Sequence, residues 1–344
     1  MIAPRLVIVA DDLTGALDAS APFAGIAGGV VAATSPAALP DALARGAAVV
    51  AVSTRSREIS APAAARAVAE VLASLPPDVR VMKKIDSRLK GNIPAELAAF
   101  GDRRFLVLPA IPDFGRVVRD GALCGFGVAD PVPVRRALGL AADRAHAPDA
   151  EVQADIAAAV AAAPAAAVLV GARGLAQALA GLMSAPPLTV DPALPRPACI
   201  AVGSTDPITL AQVARLRAAC PDLHHLPCPS GLPAAPTAPP PAAELTLLQA
   251  TEDGRVPPDR VARAFAETLA PHLRRARGML LTGGATAEAA LDRLGIALLE
   301  VRGEALPGLP LCRAGDQVVV TKSGGFGDAD ALLRLAGVAA GVGA

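Results

Sequence analysis

Four segments place reactive side chains or paired glycines directly after a short apolar run and ahead of an amphipathic stretch. They are LVIVADDLTGALDA (6–19), VMKKIDSRLKGNIPAEL (81–97), MLLTGGATAEAAL (279–291) and QVVVTKSGGFGDADALL (317–333). In each, a buried strand would deliver polar side chains and free backbone N–H groups to its C-terminal end, the edge of an open α/β sheet where ligands bind. The first two turns carry carboxylates and cations, and the last two carry Gly-Gly pairs. This division points to one half of the chain for an acidic small molecule and the other for a phosphate donor.

Each turn has its own chemistry and its own plain alternative. In ADDLTGA (10–16), one of the paired carboxylates can cap the following helix. The other can hold a hydroxyl or accept its proton; two solvated caps are the alternative. In KKIDSRLKGN (83–92), strand alternation sends Lys84 and Asp86 to one face and Lys83 and Ile85 to the other. Asn92 can cap a helix that begins at Pro94. A cation, a carboxylate and a hydroxyl on one edge suit a small polyhydroxy acid, where the alternative is a solvated run of charge. In STRSRE (53–58), Arg55 and Arg57 alternate to the same side, and an arginine fork matches a carboxylate. PAIPDFGRVVRDG (109–121) offers Arg116 as a ligand contact and Asp113 as a cap.

The glycine turns act through backbone. Gly283-Gly284 at a strand-to-helix junction forms an anion site from N–H groups and the helix dipole. Gly324, Gly325 and Gly327 allow close approach to a ligand, and VGSTDPIT (202–209) adds a third such turn. Tight packing turns that need a positive φ are the alternative. Neither a G-x-x-x-x-G-K-[ST] loop nor a G-x-G-x-x-G dinucleotide fingerprint is present.

The elements that must position these turns alternate strand with helix. In the first half, strands are expected at 5–10, 48–53, 80–85, 104–109 and 166–171, with helices at 13–26, 61–74, 93–100, 150–162 and 173–183. In the second half, strands are expected at 198–204, 244–250, 278–282, 296–301 and 316–321. Helices there run from Pro207 to about Ala219 and over 258–275, 285–294 and 328–337. This is an α/β fold of two domains with mostly parallel sheets and a cleft between them. A Pro-rich segment, 185–197, separates domains expected at 1–185 and 196–344. Residues 229–243 read as a low-complexity surface loop.

Composition narrows the partners. The chain has 344 residues, 53% of them apolar, with 32 Lys+Arg against 32 Asp+Glu. A net charge of zero argues against bulk binding to nucleic acid or an anionic membrane. The N-terminal apolar run stops at Asp11, too short for a secretory leader. Pro164 interrupts the Ala-rich stretch 156–170, which reads as helix, turn and strand rather than a membrane span. Five cysteines without a C-x-x-C pair read as reduced thiols of a cytoplasmic protein. His224, His225 and Cys228 lack the further ligands of a metal site and read as a polar strand end or loop. No protein metal ligand is assigned. There is no Trp and no Tyr, so an adenine ring would rest on Phe or aliphatic groups.

The ordered set ADDLTGA…TRSR…KKIDSRLKGN…PDFGR…GSTDP…GGATA…KSGGFGD resembles the four-carbon acid sugar kinases over nearly the whole chain. The resemblance implies an N-terminal acid-sugar-binding domain and a C-terminal nucleotide-binding domain. It also implies phosphorylation of threonate, erythronate or an oxo-tetronate by ATP with Mg²⁺. By likeness, Asp12, Arg55, Arg57 and the Lys84–Ser87 turn, including Asp86, match the substrate motifs. Ser204, Gly283, Gly284, Ala285, Thr286 and Gly324 match the nucleotide motifs, with Gly325 beside them. Arg55, Arg57 and Lys84 would hold the substrate carboxylate, and Asp12 or Asp86 would take the hydroxyl proton. Ala285 stands where many members are acidic, and the segment after Gly121 lacks the Gly-His of many members. A kinase for a different small hydroxy acid and a nucleotide-binding regulator without turnover stay open, as does a homodimer.

Overall fold

The structure, a computed structural model, describes residues 3–186, 188, 190–221, 223–233, 244–251 and 256–338. The chain divides into two compact units, Met1–Pro187 and Leu188–Ala344. Part of the low-complexity loop expected at 229–243 lies outside the described residues.

In the first unit the strands are β1 (Leu6–Ala10), β2 (Val30–Ala33), β3 (Val49–Ser53), β4 (Arg80–Lys84), β5 (Phe105–Leu108), β6 (Arg116–Arg119), β7 (Ala122–Gly125), β8 (Val132–Pro133), β9 (Ala145–His146) and β10 (Val168–Gly171). The helices are α1 (Leu13–Ser20), α2 (Leu39–Ala44), α3 (Ala61–Ala73), α4 (Ile93–Ala98), α5 (Val134–Leu138), α6 (Gln153–Ala161) and α7 (Arg173–Leu182). Seven strands form a parallel sheet in the order β2-β3-β1-β4-β10-β5-β9. Its central strands are apolar on both faces because helices cover both, as LVIVA and VVAVS show by complete burial. From β1 the chain goes first to one side (β3, β2) and then to the other (β4). That reversal opens a crevice at the carboxyl ends of β1, β3 and β4.

The second unit repeats the logic with β11 (Ala198–Val202), β12 (His224–Pro229), β13 (Leu245–Thr251), β14 (Gly278–Thr282), β15 (Leu298–Leu306), β16 (Leu309–Ala314) and β17 (Gln317–Lys322). Its helices are α8 (Pro207–Ala219), α9 (Pro258–Arg275), α10 (Gly284–Leu294) and α11 (Ala331–Leu335). The order is β12-β13-β11-β14-β17-β16-β15, parallel through β17 and antiparallel beyond it. β13 and β14 flank β11, so the reversal falls there and opens toward the Gly203 and Gly283 turns.

Several elements differ from the sequence reading. Helix α1 stops at Ser20 rather than 26, because Pro22 turns the chain into a short 3₁₀ segment. The hairpin β6–β7, with β8, forms a separate antiparallel sheet. Its turn is Asp120-Gly121, both at positive φ (52° and 71°), a D-G hairpin signal. The His224–Cys228 cluster lies inside β12, an edge strand that tolerates Pro227 and Pro229. Helix α11 begins at Ala331 because Asp328 Oδ1 accepts the Asp330 N–H and makes a turn first. No described helix is long and apolar enough to cross a membrane.

Candidate functional site

At the carboxyl edge of the first sheet, Arg57 collects three carboxylates. Its Nε and Nη2 donate to Asp11 Oδ2 and Oδ1, both at 2.9 Å, and Nη1 donates to Asp12 Oδ2 at 2.7 Å. Asp86 Oδ2 lies 3.8 Å from the same Nη1. Asp11 is 1% exposed. Burial alone would raise its pKa, but Arg57, with Lys83 and Lys84 behind it, holds the carboxyl below the ordinary range.

The two adjacent aspartates divide the work. Asp12 is the helix cap: Oδ1 accepts the Gly15 N–H at 2.7 Å, and Oδ2 accepts the Thr14 hydroxyl at 2.6 Å. Both Asp12 oxygens therefore accept hydrogen bonds, one of them also from Arg57. Asp86 Oδ1 accepts the backbone N–H groups of Arg88 at 2.8 Å and Lys90 at 3.3 Å. Among the described residues its Oδ2 has only the 3.8 Å approach of Arg57, and the side chain is 20% exposed.

Strand alternation separates the two lysines as expected. Lys84 is buried with Nζ on Ile85 O at 2.9 Å, and a Cβ on Gly15 would lie 2.9 Å from that Nζ and 2.5 Å from Asp12 Oδ1. Lys83 points the other way, fully buried, 2.9 Å from Glu96 Oε2. Glu96 Oε1 accepts the Ser56 hydroxyl, and Thr54 Oγ1 lies 2.6 Å from Ser56 Oγ and 2.9 Å from Ala10 O. This network braces the β3 turn from below. Asn92 precedes α4 but makes no side-chain cap; its Nδ2 donates to Ser56 O and Ile59 O and pins the same loop.

The arginines differ from the sequence reading. Strand β3 ends at Ser53 and Arg55 takes φ 52°, so alternation no longer governs the pair. Arg55 Nε donates to Thr34 O at the end of β2, while the Arg57 fork closes on Asp11. Arg116 is 1% exposed; Nη1 donates to Ser87 Oγ at 2.6 Å, and Nε and Nη2 donate to Phe126 O. It ties the hairpin sheet to the β4 turn. Asp113 accepts from Gln177 instead of capping a helix. A buried pair missed by the sequence reading, Arg173–Asp18 at 3.1 Å, joins α7 to α1 beside this edge.

The second sheet's edge is built of backbone. Gly203 N–H donates to Thr282 O, and Gly283 N–H to Lys322 O. This brings the β11, β14 and β17 turns together. The approach is tight: a Cβ on Gly203 would sit 1.8 Å from Thr286 Oγ1, and one on Gly324 would sit 2.4 Å from Ser204 Oγ and 2.9 Å from Asp206 Cβ. Gly283 stands at φ 89° just ahead of α10, with Gly284 as its first residue and Ala285 exposed. Thr286 and Gly325 are buried. Asp206 caps α8 through Ile208 N–H at 3.0 Å.

The sequence reading missed what holds this edge. Lys322, fully buried at the end of β17, donates to Thr209 Oγ1 at 2.7 Å and Gly324 O at 2.9 Å. Burial pushes its pKa down to about 8, with Asp206 partly opposing. Gln212 Nε2 donates to Phe326, Gly327 and Asp328 carbonyls. A lysine directly after the apolar run VVVT was the available signal.

Comparison with known proteins agrees with this division. Residues 6–137 match a family described as a sugar-binding N-terminal domain, and residues 199–332 match a nucleotide-binding C-terminal domain. A D-threonate kinase of Bordetella bronchiseptica is 34% identical, covering 97% of each chain. A D-threonate kinase of Cupriavidus necator is 31% identical, covering 95% of this chain and 96% of that one. Solved structures from Salmonella typhimurium LT2 and Haemophilus influenzae share the fold at 18% identity, with TM-scores of 0.72 and 0.68. They cover 96% and 95% of this chain and 98% of each of theirs. A charged sheet edge in the sugar-binding part and a glycine-lined edge in the nucleotide-binding part define a small-molecule kinase that uses ATP. The chain belongs to the four-carbon acid sugar kinase family, and it is a phosphotransferase with an alcohol group of a sugar acid as acceptor.

Proposed function

We propose that the chain transfers the γ-phosphoryl group of ATP to a hydroxyl of D-threonate or a closely related four-carbon acid. The observation that carries this reading is the convergence of Asp12, Arg57, Lys84 and Asp86 on one sheet edge, inside the residues that match the sugar-binding family. Two full-length relatives named as D-threonate kinases support the choice of acid.

Asp86 is the base, because Oδ2 is the carboxylate oxygen left open in the cluster. Arg57 does not bind substrate through its fork; it fixes the three carboxylates. Asp12 holds the α1 terminus and Arg57, and buried Lys84 supplies positive potential at the β4 end. The N–H groups of the Gly283, Gly284 and Gly324 turns take the nucleotide phosphates, as helix termini and glycine turns do.

Mg²⁺ fits this site as a nucleotide-borne ion, since it is held by one or two carboxylates plus phosphates. Asp206 supplies a hard oxygen beside Ser204 and Gly324: its Oδ1 caps α8 and its Oδ2 has no hydrogen bond among the described residues. A bound ion would supply positive charge that offsets the charge developing on transfer.

The test is ADP release with ATP and Mg²⁺ over the D and L forms of threonate and erythronate and their oxo derivatives. Turnover fastest on D-threonate supports the reading. Faster turnover on another acid corrects the substrate, and no turnover on any of them overturns the reading.

A further inference from the structure

With the Arg57 fork closed on Asp11, the substrate carboxylate needs another partner. Arg88 leaves the β4 turn two residues after Asp86 and is half-buried. Among the described residues its guanidinium makes no hydrogen bond and no ion pair. Its neighbour is a second guanidinium. A Cβ placed on Gly127 would lie 3.2 Å from Arg116 Nη2 and 3.6 Å from both Cζ and Nε of Arg88.

Arg116 does not offset that charge. It donates only to neutral oxygens, Phe126 O and Ser87 Oγ. Burial and then the positive charge of Arg88 depress its pKa, with Asp86 and Asp18 opposing. Among the described residues Asp86 makes its one ion pair with Arg57. Two like charges packed together raise the energy of the ligand-free state, and a planar fork with unused donors matches a carboxylate.

We propose that Arg88, backed by the buried Arg116, is the contact that takes the substrate's carboxylate on the turn that carries Asp86. The β6–β7 hairpin then has a function: through Arg116 it holds Ser87 and the Gly127 loop against Arg88. The inference deepens the sugar-acid kinase reading and rests on it for the identity of the acid.

The test is calorimetric binding of D-threonate to the full-length protein, without nucleotide, for the wild type, Arg88→Ala and Arg88→Lys, with thermal melting of each. Loss of a charge-assisted contact should weaken binding about 10- to 100-fold in the alanine variant. The lysine variant should recover part of it. The ligand-free alanine variant should melt no lower than wild type, since a like-charge contact is gone. Unchanged affinity in Arg88→Ala overturns the proposal. So does weakened binding that comes with a lower melting point and no rescue by lysine. Acid binding without ADP release would end the kinase reading and leave the role of Arg88 standing. ADP release at an unchanged KM in Arg88→Ala would do the reverse. A wild type that binds none of the four-carbon acids overturns both.

Discussion

The two sheet edges solve recognition in opposite ways. The first unit presents charge: Asp11, Asp12, Arg57, Lys84 and Asp86 crowd one crevice, with the buried Lys83–Glu96 pair beneath. The second presents almost none. Its turns are Gly203-Ser204, Gly283-Gly284 and Ser323-Gly324, and its buried cation, Lys322, is held by carbonyls and a hydroxyl. A sugar acid offers hydroxyls in fixed positions and one charge, so side chains must read it. A polyphosphate offers repeated oxygens, which backbone N–H groups can cradle. An edge made of side chains fails when an atom is removed, and an edge made of backbone fails when an atom is added.

The largest effect should come from removing the open carboxylate. Asp86→Asn keeps the side-chain shape and loses the proton acceptor, so turnover should fall about 10²- to 10⁴-fold, the usual range for a positioned base. ATP affinity should stay within twofold. Asp12→Asn is the sharpening control. It disturbs a helix cap worth about 1 kcal/mol and one arm of Arg57, so its loss of turnover should be smaller and come with a lower melting point. Steady-state kinetics and thermal melting of the two variants decide it. If Asp12→Asn costs more turnover at unchanged stability, the roles of the two aspartates are reversed.

The opposite operation tests the second edge. A Cβ at Gly324 would meet Ser204 Oγ and Asp206 Cβ, both closer than 3.0 Å. The serine can rotate away; the Asp206 Cβ is fixed to the chain at the α8 cap. Overpacking of this kind costs about 1–3 kcal/mol, so Gly324→Ala should weaken ATP binding by roughly 5- to 100-fold. D-threonate binding should be untouched. Calorimetry with each ligand reads both, and equal losses for the two ligands would dissolve the contrast between the edges.

Much of this contrast was legible in the sequence because local signals and the fold agreed. Apolar runs such as LVIVA and VVAVS are buried parallel strands in the structure. The polar turns lie at their carboxyl ends because a parallel sheet sends every such end to one edge. What could not be read was which polar group meets which. Asp11 and Asp12 are adjacent and alike, and only the helix start at Leu13 makes Asp12 the cap. Arg57 looks like a ligand fork until the chain leaves β3 at Ser53 and delivers it to Asp11, 46 residues earlier. Glu96 gave no local hint that it would neutralise Lys83. The Asp120-Gly121 hairpin was readable; neighbouring Pro and Gly residues masked its short strands.

Lys322 gives the smallest effect and the finest test, because it is a fully buried cation in an edge built mainly from backbone. Its pKa is lowered to about 8 from an ordinary value of 10.5, chiefly by burial, with Asp206 the carboxylate that partly opposes. Below about pH 8 the ammonium favours bound polyphosphate and holds Gly324 O and Thr209 Oγ1. Above it the amine loses its charge and one donor. The KM for ATP should therefore rise several-fold as pH passes through about 8. Fold stability moves the other way. Between about 8 and 10.5 the unfolded chain still binds the proton that the folded one has released, so this residue's contribution to stability grows with pH. Lys322→Met should have weaker ATP binding at neutral pH and no step in KM near pH 8. A pH titration of KM for the wild type and the methionine variant checks it. If the step persists in the variant, another group produces it, and Lys322 serves the second edge by packing alone.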